Sequence, residues 1–279
     1  LSEDEAKYIY VAVPAGTYDE LYVTLNDDNL GVMYAIVKAG DSKPLVAGNV
    51  REFSSDIVYE PMSTTDKFII ANYGDFKTFK EALEQAEADL AAAKATLDNT
   101  EATDEDKAAA TELQTTALAI LSKNAVVVND IVLNPNDMTF QGDNSNITAP
   151  NYKGTVYGNG FAIKNFPGPL FNKTAASFKG LHMDMNIEET ENPNFGAFAR
   201  QLIANGNAPK VEHCSVNGSI TINTAIKPTA STYTEAATGA FVGIAKGIHF
   251  ENCVNNAALD IKSVVASDAE TATHSVVGG

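Results

Sequence analysis

An internal repeat in the second half of the chain constrains its fold more than any other feature. The segments "FKGLHMDMNIEE" (residues 178–189), "VEHCSVNGSITI" (211–222) and "FENCVNNAALDI" (250–261) align without a gap. A unit this short cannot bury its own apolar face, so it needs neighbouring units stacked on it to make a continuous core. Short strands joined by turns and stacked in register form a parallel β-helix, which is the fold that the repeat predicts. This short solenoid is expected to be right-handed.

Residues at the same position of successive units form what we call a column. Three columns are apolar and are expected to point inward: Phe178, Val211 and Phe250; Leu181, Cys214 and Cys253; Ile187, Ile220 and Leu259. A polar column of Asp184, Asn217 and Asn256 is assigned to a turn. A second block, "GPLF" at 168, "FGAF" at 195 and "TGAF" at 238, precedes each unit, and "HSVVGG" at 274 begins a fourth.

The glycines of "GTVYGNGFAIKNF" (154–166) allow two interpretations, a phosphate-binding loop or a turn. The segment is not G-x-G-x-x-G, because Ile163 stands where the third glycine belongs, and strand-like sequence follows it instead of a helix. The glycines are therefore predicted to serve a corner of the solenoid that requires a positive φ.

Residues 1–62 are predicted to be a partial β-sandwich. "YIYVAV", "ELYVTL" and "VMYAIV" are rich in β-branched and aromatic residues, and turn-like segments separate them. Because the chain starts at Leu1 within this pattern and stops within a repeat, it is interpreted as a fragment of a longer protein.

Residues 63–125 are predicted to be a connector with an inserted antiparallel helical hairpin, at about 78–123. Leu83, Ala86, Leu90, Ala93 and Leu97 recur at helical spacing. Thr103 and Asp106 form a candidate capping pair for the second helix. Two helices packed on each other are favoured over a coiled coil that binds a partner, because the seam is short. The alanine-rich hairpin is expected to protrude from the main core, and residues 126–279 form the β-helix.

Composition disfavours several classes of partner. The chain has 36 acidic and 19 basic residues and a formal net charge of −17, which opposes binding to nucleic acid or to an anionic membrane. No run of 18 apolar residues is present to span a bilayer. The two cysteines support neither a zinc site nor a disulfide framework, and buried free thiols are favoured over a disulfide between them.

The repeat resembles a known family. "YKGTVYGNGFAIKNF", "SFKGLHMDMNI", "VEHCSVNGSI" and "GAFVGIA…FENC" look like the GLUG-type repeat region of bacterial cell-surface proteins, over about residues 126–279. "YVAVPAGTYDELYVTLND" is similar to the closing strands of fimbrillin-like sandwich domains. Together the resemblances imply an exported protein at the cell surface or outside the cell, anchored to the outer membrane only through a segment beyond this chain. They imply structural or adhesive use and bring no catalytic residues.

Two functional hypotheses follow. The first is a non-enzymatic surface protein that binds an extracellular glycan or a host protein, with no cofactor and no metal. The second is a carbohydrate-active β-helix enzyme, a polysaccharide hydrolase or lyase, which needs carboxylates converging on one exposed face. The stacked Lys179, Glu212 and Glu251 resemble such a site only superficially, because outward charges on a solenoid are normally solvated.

If the chain binds a ligand, the longest external loop, residues 223–238, is expected to take part. Loops inserted into a solenoid vary freely and gather on one side of it. Lys227 and Tyr233 are the candidate binding residues, since a tyrosine ring can stack on a sugar face. A merely solvated loop is the alternative.

Overall fold

A computed structural model describes residues 16, 20–27, 31–38, 46, 60–61, 67–133, 146–190, 194–223, 225–226, 236–262, 264–265 and 275–278. The fold is mainly β, with stacked parallel strands and two helices among the described residues. Contacts divide the chain into two units, Leu1–Met62 and Ser63–Gly279. The predicted separation of residues 63–125 from 126–279 remains a prediction.

The first unit contains a three-stranded antiparallel sheet. Strand β1 (Glu20–Asp27) pairs with β2 (Gly31–Lys38), and β2 pairs with β3 (Glu60–Pro61). Two of the predicted strands, "ELYVTL" and "VMYAIV", are thereby confirmed. The predicted strand at residues 8–13 lies outside the described residues. One sheet alone does not make a sandwich, so the partial β-sandwich is not shown.

The second unit begins with β4 (Lys67–Ile70), followed by helices α1 (Tyr73–Asp98) and α2 (Asp104–Leu121) and by β5 (Asn124–Val127). Asn72 caps α1 by accepting a hydrogen bond from the Asp75 N–H. Thr103 and Asp106 form the predicted reciprocal capping box at the start of α2. The two helices pack on each other as an antiparallel hairpin, as predicted.

Three parallel sheets carry the repeats. The first sheet contains β7 (Ile147–Ala149), β10 (Phe171–Thr174), β13 (Ala199–Ile203) and β18 (Val242–Lys246). The second contains β4, β5, β8 (Thr155–Tyr157), β11 (Ser177–Lys179), β14 (Lys210–Glu212) and β19 (His249–Glu251). The third contains β6 (Ile131–Val132), β9 (Ala162–Lys164), β12 (His182–Glu189), β15 (Ser215–Ile222) and β20 (Val254–Ile261).

From β7 to β15 the chain passes through the first, second and third sheets in turn, and β18 to β20 do so once more. We call each passage through the three sheets a coil, so that β7 to β9 belong to the first coil. Such a cyclic order is compatible with a β-helix. The register confirms the columns read from the sequence: Phe178 pairs with Val211 and Val211 with Phe250. Ile187, Ile220 and Leu259 are likewise paired in register.

The polar column of Asp184, Asn217 and Asn256 lies in the middle of the third sheet and not in a turn. Here the sequence interpretation was wrong. Asp and Asn are typical turn residues, but both also fit a solvent-facing strand position when they hydrogen-bond to the same residue type in the next strand.

The corners between the second and third sheets are built from left-handed residues. Gly160 (φ 80°), Gly180 (φ 61°), His213 (φ 53°) and Asn252 (φ 52°) occupy successive corners. The prediction of a corner glycine with positive φ is thus confirmed at Gly160. Gly158 is required for another reason, because a Cβ there would lie 2.2 Å from the Leu181 Cα.

A continuous row of aromatic rings runs along the second unit; its middle members are buried, whereas Phe250 at its end is 43% exposed and so departs from the inward position expected from the sequence. Neighbouring ring centroids are 5.0 to 6.4 Å apart along this row, which contains Phe68, Phe79, Tyr152, Phe171, Phe178, Phe198, Phe241 and Phe250. Edge-to-face and offset pairs at these distances add to the stabilisation from burial. The row extends from Phe68 in β4 to Phe250 in β19.

The base of the helical hairpin belongs to this core. Phe76, Phe79 and Leu83 of α1 and Leu121 of α2 are buried in the same apolar cluster as the strands. The expectation that the hairpin protrudes from the main core is therefore wrong for its base. The alanine-rich seam read from the sequence lies farther along the helices, and large apolar residues at the first turns of α1 cover the first coil.

Four further strands lie beyond the regular repeats. Strand β16 (Ala225–Ile226) pairs in parallel with β21 (Val264–Val265), and β17 (Ala236–Gly239) with β22 (Ser275–Gly278). Both ends of the predicted external loop, residues 223–238, thus contain strand. The pairing of β17 with β22 shows that the fourth "HSVVGG" block stacks on the third.

Candidate functional site

The outward surface of the third sheet carries a set of polar side chains that are hydrogen-bonded to one another. We use the name polar face for a set of nine residues on this surface, which belong to β9, β12, β15 and β20 or, in the case of Asp130, precede β6. Its members are Asp130, Lys164, His182, Asp184, Asn186, Ser215, Asn217, Ser219 and Asn256.

Strict alternation along β12 produces this face. Met183 and Met185 are buried, whereas Asp184 between them and Asn186 beyond them face away from the core. Successive side chains of a strand point to opposite sides, so alternating apolar and polar residues fill the core and decorate the outside. The same alternation in β15 places Val216 and Ile220 inside.

A hydrogen-bonded amide row crosses the centre of the polar face. The Asn217 side-chain amide donates to the Asp184 carboxylate over 2.7 Å, and the Asn256 amide donates to the Asn217 oxygen over 3.0 Å. One column farther along, the Ser219 hydroxyl donates to the Asn186 side-chain oxygen over 3.0 Å. Because each side chain is held by its neighbour, the row presents a fixed pattern of donors and acceptors.

On the other side of the amide row, two residues before Asp184 and Asn217, a histidine and a serine are in contact. His182 Nδ1 and Ser215 Oγ share a hydrogen bond of 2.7 Å, and the Asn217 amide also reaches Ser215 Oγ at 3.4 Å. This pairing follows from the register of β12 and β15, in which His182 lies opposite Ser215. It adds a titratable ring to the edge of the amide row.

An ion pair closes the end of the polar face nearest the first coil. Lys164 Nζ lies 2.6 Å from Asp130 Oδ2, and the Ala162 N–H donates to Asp130 Oδ1. The hydrogen bond from Lys164 is the main reason that the pKa of Asp130 lies below its ordinary value, and Asp130 raises the pKa of Lys164 in turn. Both groups are therefore charged at neutral pH.

The second sheet carries the charged column anticipated from the sequence. Lys179 pairs with Glu212, and Glu212 with Glu251, in adjacent strands. Glu212 also forms an exposed ion pair with Lys210 at 3.5 Å. These side chains lie on a different sheet from Asp184 and Asp130, so the structure distributes the carboxylates over two surfaces.

A buried ion pair joins Arg200 of β13, in the first sheet, to Glu189 at the end of β12, in the third sheet. Arg200 is 7% exposed, and its Nη2 lies 2.8 Å from Glu189 Oε2. The Arg200 guanidinium also donates to the Asn194 carbonyl and to the Asn172 side-chain oxygen. All three directions of the guanidinium are thus satisfied by the protein, which indicates a structural role.

The predicted binding residues Lys227 and Tyr233 lie outside the described residues. Among those that the structure describes, no group of three or more His, Cys, Asp or Glu side chains could hold a metal ion. Within the same part of the chain, neither helix is apolar enough over a sufficient length to cross a membrane.

The sequence analysis missed the polar face as a site. Its signal was present as the Asp184 column, but the assignment of that column to a turn removed it from consideration. Reading the alternation of "HMDMNIE" would have placed Asp184 and Asn186 on the outer side of a strand.

Comparisons of the chain with protein-family models, with curated proteins and with solved structures found no match. The resemblances to GLUG-type repeats and to fimbrillin-like domains remain predictions from the sequence.

Proposed function

We propose that the three parallel sheets form a right-handed parallel β-helix of the GLUG-repeat type and that this helix binds an extracellular glycan on its polar face. The protein is non-enzymatic, exported and displayed at the cell surface. The cyclic order of strands through the three sheets supports the β-helix. The sequence resemblance to surface proteins supports export.

The hydrogen-bonded row from Asp184 through Asn217 to Asn256 carries the proposal. Planar carboxamides and carboxylates offer paired donors and acceptors, which match the vicinal hydroxyls of a sugar. Neighbouring strands place these groups about 4.8 Å apart. Because the side chains are already held in place, binding a ligand costs little additional side-chain ordering.

Charge favours a neutral ligand over a polyanion. The chain has a formal net charge of −17, and the cation of the polar face, Lys164, is already paired with Asp130. A nucleic acid is bound when Lys and Arg side chains that are not already paired neutralise its phosphates and release the counterions condensed on it. A neutral or weakly charged glycan is therefore the better match. Binding to a protein ligand instead is one of the results that the experiment below can distinguish.

Binding is favoured over catalysis because Asp130 and Asp184, the two carboxylates of the polar face, already have partners in the protein. Asp184 accepts from Asn217, and Asp130 accepts from Lys164 and from the Ala162 N–H. A glycosidase needs one carboxyl group with a raised pKa as the acid. The pKa of Asp130 is instead lowered.

A glycan array, run with the wild-type chain and three matched variants, tests the proposal. The first variant is Asn217→Ala with Asn256→Ala on the polar face, and the second is Lys179→Ala with Glu212→Ala on the second sheet. The third is Lys227→Ala with Tyr233→Ala in the loop. Circular dichroism checks that each variant is folded.

Loss of at least tenfold in affinity for the first variant alone is the expected result. Loss for the loop variant alone would move the site to residues 223–238. Binding of the wild type to host-matrix proteins but to no glycan would contradict the choice of ligand. Release of reducing sugar or of an unsaturated product from a polysaccharide would overturn the non-enzymatic assignment. Export is tested separately, by protease accessibility of the protein on intact source cells.

A further inference from the structure

Two cysteines occupy one column of the stacked repeats. Glu212 pairs with Glu251 before them, and Ser215 pairs with Val254 after them, so Cys214 lies opposite Cys253 in the next coil. The Val254 N–H donates to the Cys214 carbonyl over 2.9 Å. Parallel neighbours about 4.8 Å apart fall within the Cα separations that a disulfide accepts, about 4.4–6.8 Å.

The two sulfur atoms also point toward the same place. Cys253 Sγ lies 3.2 Å from the carbonyl oxygen of Val211, which belongs to the coil of Cys214. Cys214 Sγ lies 3.2 Å from the Glu212 carbonyl oxygen, so both sulfur atoms lie beside the backbone of β14. Both cysteines are free thiols in this structure.

Accessibility distinguishes the two cysteines. Cys214 is 1% exposed, whereas Cys253 is only half-buried. Solvent-borne reagents therefore reach the Cys253 sulfur first. Each cysteine follows a left-handed corner residue, His213 or Asn252, and lies outside the flanking strands. A corner can adjust its backbone more readily than the middle of a paired strand.

We propose that Cys214 and Cys253 are a dithiol site that small-molecule disulfides oxidise to an intramolecular disulfide, with Cys253 as the attacking sulfur and Cys214 as the resolving one. The Cys253 thiolate attacks one sulfur of the reagent RSSR, and RS⁻ leaves and takes up a proton from water. Cys214 then loses its proton to solvent and attacks Cys253, expelling a second RS⁻. Two protein thiols are oxidised and one RSSR is reduced to two RSH.

The electrostatics of the pair agree with these roles. The neighbouring Cys214 thiol lowers the pKa of Cys253, and the nearby His213 acts in the same direction. The neighbouring Cys253, together with burial, raises the pKa of Cys214.

The disulfide should be easily reduced. Stacked parallel strands point their Cβ atoms in the same direction, and a strand spacing of about 4.8 Å exceeds the Cβ separation of about 3.8 Å typical of a disulfide. The corners must approach each other to close the bond, and strained disulfides have higher reduction potentials. The site is therefore suited to reversible modification.

Oxidised glutathione, added to the folded wild-type chain, tests the proposal through intact mass and peptide mapping. The wild type should form the Cys214–Cys253 disulfide and retain no glutathione. Cys214→Ala should retain one glutathionyl group at Cys253. Cys253→Ala should stay unmodified while folded and react once it is unfolded in guanidinium.

Iodoacetamide labelling of the wild type gives a second measurement that does not depend on how the variants fold. Cys253 should be labelled at least tenfold faster than Cys214, because its sulfur is the more accessible of the two. Equal labelling of the two cysteines would overturn the proposal. So would a wild type that stays reduced, that keeps glutathione on Cys253, or that forms only covalent dimers.

Discussion

Glu87 of α1 accepts two hydrogen bonds from Asn151, a residue 64 positions later in the turn after β7. The Asn151 backbone N–H donates to Oε1 over 2.6 Å, and its side-chain amide donates to Oε2 over 2.7 Å. This double contact fastens the helical hairpin to the first coil. It lies beside the buried residues Phe79, Leu83 and Ala86, so polar and apolar contacts hold the same helix face.

Glu87→Ala should destabilise the protein by about 1–2 kcal/mol, because it leaves two donors of the half-buried Asn151 without their acceptor. Chemical denaturation monitored by circular dichroism measures the change. Glu81→Ala is the matched control on the same helix, since its pairing with Lys77 is exposed and 3.7 Å long. The control should change stability by less than about 0.5 kcal/mol. Equal effects of both substitutions would show that the Asn151 contact contributes nothing specific.

Tyr152→Phe should stabilise the protein by about 1 kcal/mol. The Tyr152 ring lies between Phe79 and Phe171, and its hydroxyl is fully buried without a hydrogen-bond partner. Removing the hydroxyl eliminates an uncompensated desolvation cost while keeping the ring. Thermal unfolding provides the measurement, with Tyr157→Phe as the control. A loss of stability in Tyr152→Phe would mean that the hydroxyl is bonded in solution.

Tyr152→Phe should also change how the stability of the protein depends on pH above pH 10. Burial raises the pKa of Tyr152 above its ordinary value of 10.0, so only the unfolded chain ionises easily at this position. Ionisation of Tyr152 in the unfolded chain leaves the free energy of unfolding unchanged below pH 10 and lowers it as the pH rises beyond that value. Between pH 10 and pH 11 the wild type should therefore lose stability faster than Tyr152→Phe. Urea denaturation at pH 10 and at pH 11 measures the free energy of unfolding of both proteins. An equal loss in the two proteins between these pH values would contradict the raised pKa of Tyr152.

Gly158→Ala should cost about 3 kcal/mol, since the new methyl group would meet backbone atoms that cannot move independently. The added Cβ would lie 2.2 Å from the Leu181 Cα and 2.4 Å from the Gly180 carbonyl oxygen. Gly160→Ala is the matched control, two residues away, with φ 80° and open space around its Cβ position. It should cost only about 1–2 kcal/mol. A reversed order of the two melting temperatures would refute the close approach of these corners.

Arg200→Ala should destabilise the fold by about 3–5 kcal/mol, because it takes the guanidinium away from the largely buried carboxylate of Glu189. Arg200→Lys keeps the charge but not the planar set of donors that reaches Asn172 and Asn194, so an intermediate loss is expected. Equilibrium unfolding of the three proteins gives the comparison. If Arg200→Ala were as stable as wild type, the cluster would be structurally dispensable.

The columns could be predicted from the sequence because the spacing of residues within each unit sets the register in which the units stack. Three segments that align without a gap must place equivalent residues opposite each other if the units stack in parallel. Phe178, Val211 and Phe250 therefore paired as predicted. The capping box of Thr103 and Asp106 was equally accessible, since both residues lie within one turn of each other.

The polar face and the position of the hairpin were not accessible in the same way. Asp184 and Asn217 are acceptable in a turn or on a strand, and only the paired strands on both sides show which of these they occupy. Likewise, Phe76 and Phe79 are apolar whether they line a seam between helices or cover a coil.

The sequence by itself determined the repeat, its register and the local ends of the helices, because those features depend on residues close together or on identical units. The contact of Glu87 with Asn151, the unequal exposure of Cys214 and Cys253 and the burial of Tyr152 depended on the tertiary structure. Each arises where segments far apart in the chain come into contact, and the free energy of such contacts depends on their three-dimensional neighbours, which no local pattern encodes.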